Sequence, residues 1–316
     1  MLKQTKELAI TASHILKGWL YTHIWYPRIR ISYNKTLVAV IDGRLYTGGM
    51  TDRFIGIISL YALAKTYNIP FRIKYTSPFN LTDYLLPNKY NWIPSEGDYI
   101  ESSLTSKVVY AVGEPRFDKR LRNLIGIKQI HFYGNRDLLC FAEFQQFDWG
   151  KLFKELFRPA DSLQEKLNTL RKEIGQGEYV SIVFRFQNLL GDFKEYNFKP
   201  LPNHNAREKY IEKCISAIRD IHAKENKTCL ITSDSALFLS RVKNLTYVYI
   251  IPGNLVHMGS EDTGTYSQYE KSFLDFYGLV ASNKIYNIVY GNMYPSGFPL
   301  YASKINSIPF ERIILR

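Results

Sequence analysis

An arginine inside an apolar run is the residue in this sequence that most needs an explanation. Arg185 lies in VFRFQNLLGDFKE, flanked by Phe184 and Phe186, where burial without an anionic partner would be costly. A planar, permanently charged fork at a strand end suits a pyrophosphate; an ion pair with Asp192 or Glu195 would satisfy it equally well. A second point is TSDS, in which Ser233, Asp234 and Ser235 end an apolar run and begin a helical one. These residue types fill helix N-caps, and the same carboxylate and hydroxyls can contact a ribose or base. A third is TGGMTDRFIG, residues 47–56, which sets Gly48 and Gly49 before a helix capped by Thr51 or Asp52, with Arg53 next in line. Free amides at such a start can face an anion, although a tight strand-to-helix turn has the same sequence. The fourth joins Asp275, an acid among Phe273, Leu274, Phe276 and Tyr277 that needs a donor, to Ser296 and Gly297, which open the last helix where amides can hold a phosphate.

The motifs that do not occur narrow the chemistry. There is no GxxxxGK[ST] loop, no GxSxG, no HExxH and no Asp-x-Asp pair. The six histidines, His14, His23, His131, His204, His222 and His257, show no ligand spacing, and Cys140, Cys214 and Cys229 form no CxxC pattern. The expectation is therefore no metal site, no disulfide scaffold and a reducing compartment. A transferase that holds a diphosphate with arginine and helix ends fits this set.

Charge and hydropathy set the surroundings. The 316 residues carry 41 Lys plus Arg against 29 Asp plus Glu, a net charge of +12, so the chain attracts anions. The basic residues are scattered, and no RRM-type aromatic motif or Cys/His finger accompanies them, which argues against nucleic acid. No run approaches the roughly 18 apolar residues of a membrane span, and no signal-peptide pattern opens the chain. The expected place is the cytoplasm. Leu8, Ala12, Ile15, Leu16, Trp19, Leu20 and Ile24 recur at helical spacing, and residues 1–30 hold five basic residues and one acidic. This amphipathic helix either packs on its own domain or lies on the inner face of an anionic membrane.

The elements that must position these residues alternate along the chain. Strands are expected at 37–42, 71–75 and 107–113, with a helix from Asp52 to Tyr67. A charged helix from near Ser162, closing on Gly175 and Gly177, reads as the hinge between two halves. The second half continues with strands at 179–186, 228–234, 246–251 and 284–290 and helices at 206–224, 235–242, 269–282 and 296–306. With 46% hydrophobic residues, both halves can bury a core. The expected fold is α/β, two Rossmann-like domains facing a cleft, residues 1–160 and 161–316.

GGMTDRFIGIISLYALAK, VSIVFRFQNLLGDFKE, LITSDSALFL and KSFLDFYGLVASNKIYNIVYGNMYPSGFPLYASKI, in this order, resemble the fucosyltransferase superfamily. The nearer likeness is to its bacterial envelope-polysaccharide members, related to the nodulation and core α-1,6-fucosyltransferases. The resemblance implies a GT-B-like arrangement, GDP-fucose as donor substrate, no metal, no cofactor and inversion at the anomeric carbon. It implies that Arg185 neutralises the donor pyrophosphate, that Asp234 fills the acidic position of the second motif, that Asp275 reads guanine, and that Ser296 with Gly297 forms the phosphate turn. Two positions depart from the family: Val183 stands where it has histidine, and Phe186 where it has a second arginine.

An inverting transfer needs a base for the acceptor hydroxyl and a clamp for charge on the leaving diphosphate. Arg185 is the expected clamp and Asp192 the expected base, with Glu195 and Asp52 as substitutes. Gly48, Gly49, Asp52 and Arg53 join Ser233, Asp234, Asp275, Ser296 and Gly297 as candidate donor-binding positions. The expected acceptor is a lipopolysaccharide or capsule glycan, read by Tyr90, Trp92 and neighbouring aromatics unless these are core. Two other readings remain at this level: transfer from GDP-heptose or GDP-mannose, and an anion-binding envelope-assembly protein without turnover.

Overall fold

The structure is a computed structural model of the chain that describes residues 2–28, 34–175, 178–193, 199–253 and 264–316, with backbone alone for 2–9. It divides into two compact units, Met1–Arg158 and Pro159–Arg316.

The first unit runs α1 (Leu2–Trp25), β1 (Leu37–Ile41), α2 (Met50–Tyr67), β2 (Phe71–Tyr75), β3 (Leu85–Pro87), β4 (Ser106–Ala111), α3 (Phe117–Arg122), β5 (Gln129–Gly134), α4 (Trp149–Leu156) and β6 (Phe157–Pro159). Its main sheet has the order β2-β1-β5-β4, and every pairing is parallel. Such sheets are covered on both faces, so their strands are continuously apolar; LVAVI of β1 is buried at all five positions. Helix α2 is buried at Phe54, Ile55, Ile57, Ile58, Leu60, Ala62 and Leu63, and a helix apolar all round belongs inside. Strand β5 was not expected from the sequence. Its QIHFYG mixes Gln129 and His131 into the run, and both are fully buried because every polar atom is bonded: His131 Nε2 lies 2.8 Å from Gln129 Oε1, His131 Nδ1 meets the Tyr26 hydroxyl, and Gln129 donates to the Gly97 carbonyl at 3.0 Å.

Helix α1 is fastened to this unit, but not by the stripe that its periodicity picks out. Gly18 passes so close to β4 that a Cβ there would sit 2.8 Å from the Val108 carbonyl oxygen, and the Val108 N–H donates to Thr22 Oγ1 at 3.1 Å. Gly18, Tyr21 and Thr22 make the inward face, while Ile15, Leu16, Trp19, Leu20 and Ile24 are exposed. Two small residues and a tyrosine set the docking because a helix can approach a strand backbone this closely only where no side chain intervenes.

The second unit runs α5 (Asp161–Ile174), β7 (Tyr179–Phe184), α6 (His204–Glu225), β8 (Thr228–Ser233), α7 (Ala236–Val242), β9 (Val248–Tyr249), α8 (Tyr266–Val280), β10 (Lys284–Tyr290), α9 (Phe298–Asn306) and β11 (Phe310–Leu315). Leu163, Leu167, Leu170 and Ile174 form the buried face of α5, and Gly175 ends it in the left-handed region. The sheet order is β11-β10-β7-β8-β9, all parallel. Read from β7, this is the 3-2-1-4-5 order of a doubly wound sheet, with its switch point between β7 and β10. Val180, Ile182, Phe184, Ile231 and Ile288 meet Ile211, Cys214 and Ile218 of α6 in the core. The strand expected over 246–251 shortens to two residues, and the chain continues past its expected last helix into β11. Ile313 and Leu315 of that edge strand pack on the core while Arg312 and Ile314 are exposed.

Candidate active site

In open α/β sheets ligands bind beyond the carboxyl ends of strands at the switch point. In the second unit that place is made by the residues after β7, β8 and β10. Phe184 is in register with Ser233 across the β7–β8 pair, so Arg185 and Asp234 leave the sheet side by side. Arg185 Nη1 lies 2.9 Å from Asp234 Oδ2, and the guanidinium carbon stands 5.1 Å from the centre of the Phe193 ring. Asp234 also accepts the Phe186 N–H at 2.8 Å and the Gln187 N–H at 2.7 Å. Its carboxylate thus ties down the turn that aims Arg185. Gln187 adopts a left-handed conformation with φ 54°, strained for a residue with a side chain, and the bond to Asp234 helps to hold it there.

The Arg185 side chain is 18% exposed, against 3% for Asp234. A guanidinium fixed by a buried carboxylate and still reaching the surface is prepared for an incoming anion. Phe186, at the family's second arginine position, is fully buried and packs 4.9 Å from Phe238; a charge there would enter the core.

The other expected residues have identifiable occupations. Asp192 Oδ2 accepts the Ser235 hydroxyl at 2.9 Å and the Leu237 N–H at 2.7 Å, while Ser235 caps α7 through the Phe238 N–H. Asp192 is therefore bound to the start of α7. Ser233 Oγ accepts the Ser235 N–H at 3.1 Å. Glu195 lies outside the described residues. Asp275 is 1% exposed and forms a buried ion pair with Lys271, one turn earlier in α8. Burial pushes its carboxyl up, Lys271 pulls it back, and Oδ2 has no hydrogen-bond partner. The structure thus supplies from Lys271 the donor that one oxygen of this acid needs. Ser296 Oγ accepts the Phe298 N–H at 3.2 Å, its own N–H donates to the Tyr294 carbonyl, and Gly297 is the N-cap of α9.

Sequence reasoning missed Arg312. From β11 it donates to Asn287 Oδ1 at 2.9 Å and to the Ser296 carbonyl at 2.9 Å, and Asn287 donates to the Val183 carbonyl. Together with the Tyr294 N–H on the Arg185 carbonyl at 3.2 Å, this links the ends of β7 and β10. The available signal was an arginine in the apolar FERIIL segment, the same anomaly that marks Arg185.

The glycine-rich point belongs to the other unit. Gly48 has φ 91°, and a Cβ there would meet the Asp52 carboxylate at 2.6 Å. The helix cap is Gly49 instead of Thr51 or Asp52, and Asp52 reaches back to its N–H at 3.2 Å. Arg53 is buried, donating to the Gly48 carbonyl at 2.9 Å, Tyr75 Oη at 2.9 Å and the Ser77 carbonyl at 3.2 Å. These bonds close the turn on itself, which is the structural alternative its sequence allowed. Trp92 is core, its Nε1–H on the Leu156 carbonyl at 2.8 Å, and the Tyr90 hydroxyl is bonded to the Phe71 backbone. Among the described residues no three His, Cys, Asp or Glu side chains gather as metal ligands.

Two Rossmann-like sheets in one chain define a GT-B type of fold. The sequence matches no protein-family model and no curated protein, but the structure matches solved fucosyltransferases. A mutant of Arabidopsis thaliana FUT1 in complex with GDP is similar at 14% identity over 95% of this chain and 73% of that one, with a TM-score of 0.57. NodZ α-1,6-fucosyltransferase soaked with GDP-fucose is similar at 14% identity over 86% and 92%, with a TM-score of 0.51. The fucosyltransferase NodZ from Bradyrhizobium gives 14%, 86%, 93% and 0.51. The fold of this chain is the fold of these fucosyltransferases.

Proposed function

We propose that the chain is a glycosyltransferase that takes fucose from GDP-fucose, with the second unit as the donor domain and the first as the acceptor domain. The observation that carries the reading is the Arg185–Asp234 pair at the carboxyl ends of β7 and β8, beside the switch point of the donor sheet, a fixed cation that reaches the surface where a diphosphate would lie. The shared fold supports it, since one similar structure was solved with GDP and another was soaked with GDP-fucose.

In the proposed reaction the sugar's anomeric carbon is attacked by an acceptor hydroxyl whose proton passes to solvent water, and the bond to the diphosphate breaks with its electron pair going to GDP. Arg185 meets that growing charge with a preorganised cation, and the Ser296–Gly297 turn that opens α9 contributes its dipole. No metal is assigned to this step. Asp234 and Asp192 are given positioning roles, the first on Arg185 and the second on the start of α7. The acceptor is carried as a bacterial cell-surface glycan, a class taken from the sequence resemblance, and peripheral contact with an anionic membrane is part of the same reading.

The test is calorimetric titration with GDP and GDP-fucose, with and without EDTA, followed by an assay for GDP released from GDP-fucose. Binding of both with unchanged affinity in EDTA, and slow release of GDP without acceptor, are expected. A preference for UDP-sugars, or a strict need for manganese or magnesium, would overturn the reading; binding without any turnover would leave an anion-binding protein in its place.

A further inference from the structure

The stripe of α1 that the fold leaves uncovered has no task in nucleotide-sugar binding. Leu16, Leu20 and Ile24 recur every fourth residue, opposite the Gly18 and Thr22 face that grips β4. Ile15 and Trp19 widen the stripe, and Ile24 and Trp25 are 67% and 66% exposed. Beside it runs a groove of about 560 Å³, walled by Leu20, Ile24 and Trp25 on one side and by Arg44 and Leu45 of the segment after β1 on the other. Contiguous apolar surface of this kind marks a contact that the isolated chain does not make.

Charge and composition select the occupant. From residue 10 to residue 28 there is no Asp or Glu, while Lys17 and Arg28 are exposed; across the groove Arg44 is paired with Glu101 at 2.7 Å, so the cations of this face are those of the helix segment itself. Two exposed tryptophans among aliphatic residues, with cations nearby, are the composition of an interfacial helix. A second copy of a chain carrying +12 would bring like charge to the same face, whereas anionic lipid brings the opposite one. No described helix is long and apolar enough to cross a membrane, so the contact is lateral.

We infer that the outer face of α1, with the adjoining groove, is a docking surface for an anionic lipid bilayer. The inference rests on the membrane contact in the proposed function and gives it a defined face. Because the opposite face of the same helix is fastened to β4, the helix docks as part of the fold and brings the first unit to the lipid surface.

The test is co-sedimentation of the full chain with phosphatidylcholine vesicles, with and without phosphatidylglycerol, alongside tryptophan emission. Trp92 and Trp149 are buried, so a blue shift on lipid addition reports Trp19 and Trp25. Binding to the phosphatidylglycerol vesicles with a blue shift is expected. The triple variant Leu16→Gln, Leu20→Gln, Ile24→Gln, which spares Gly18, Tyr21 and Thr22, should need at least about tenfold more lipid for half-binding. Unchanged binding by the triple variant, equal binding to both vesicle types, no binding by the natural chain, or a dimer in light scattering that the triple variant abolishes would each overturn the inference. GDP titration of the triple variant should match the natural chain. Normal GDP binding without sedimentation removes the docking surface alone, and sedimentation as expected without GDP binding removes the transferase reading alone.

Discussion

Replacing Asp234 with alanine should expose how the site is held. The carboxylate accepts two backbone N–H groups at 2.8 and 2.7 Å and the Arg185 guanidinium at 2.9 Å. Two amides left without partners in a buried turn cost about 1–3 kcal/mol each. Arg185 adds less, since its partial exposure lets water replace part of the lost contact. The left-handed Gln187 also loses the bond that helps to keep it in place. Together these come to roughly 2–6 kcal/mol, or about 3–9 °C in Tm for a chain of this size. Calorimetric unfolding measures that loss, and GDP titration of the folded fraction measures the second consequence, an affinity at least about tenfold weaker because Arg185 is no longer aimed. A Tm within about 1 °C of the natural chain would refute the account of the turn. Lost stability with unchanged GDP affinity would refute the link from Asp234 to the ligand.

Asp192→Asn should lower turnover by less than about tenfold, because the amide oxygen can still cap α7; a loss of about a hundredfold or more, with GDP affinity kept, would make Asp192 the base. Asp275→Asn should cost about 3–5 kcal/mol by stranding buried Lys271, and the double variant Lys271→Met, Asp275→Leu should recover most of it; an altered preference for GDP over UDP at unchanged stability would make Asp275 the guanine reader. Burial, helped by the Arg44 charge, holds the His131 imidazole down at about 3. The unfolded chain then takes up a proton near pH 6.5 that the folded chain refuses, so stability falls as pH drops below about 6.5, by about 1.4 kcal/mol per unit. His131→Asn should remove one proton from that slope, and an equal slope in chemical unfolding at pH 5 and 6 would contradict it.

The strands that the sequence shows clearly are those whose neighbours cover both faces. LVAVI and KIYNIVY are continuous apolar runs because a parallel sheet buries them, and their bounds follow closely. Strand β5 was hidden because buried Gln129 and His131 find partners far along the chain, Gly97 and Ile100 for the first and Tyr26 for the second, contacts that no local pattern contains. Strand β11 was hidden because Glu311 and Arg312 interrupt its apolar run, and their partners, Lys284 and Asn287, come from the neighbouring strand. In α1 the periodicity was visible but its direction was not: backbone approach at Gly18 fixes the inward face, and apolar count does not. At the site, the isolated charge of Arg185 was legible as an anomaly. That Asp234 answers it depends on the register of β7 with β8, and the partners of Asp192, Asp275 and Arg53 likewise depend on tertiary placement.

The central claim is that Arg185 holds the diphosphate of the donor, and GDP titration of Arg185→Ala and Arg185→Lys tests it most directly. The account predicts folded proteins in both cases. GDP binding should weaken by roughly 1.5–3 kcal/mol in the alanine variant, and turnover of GDP-fucose should fall at least about a hundredfold. Lysine should restore only part of either, because a point charge cannot make the two-pronged contact. Natural GDP affinity and turnover in a folded Arg185→Ala chain would contradict the claim and leave Arg185 as the ion-pair partner of Asp234.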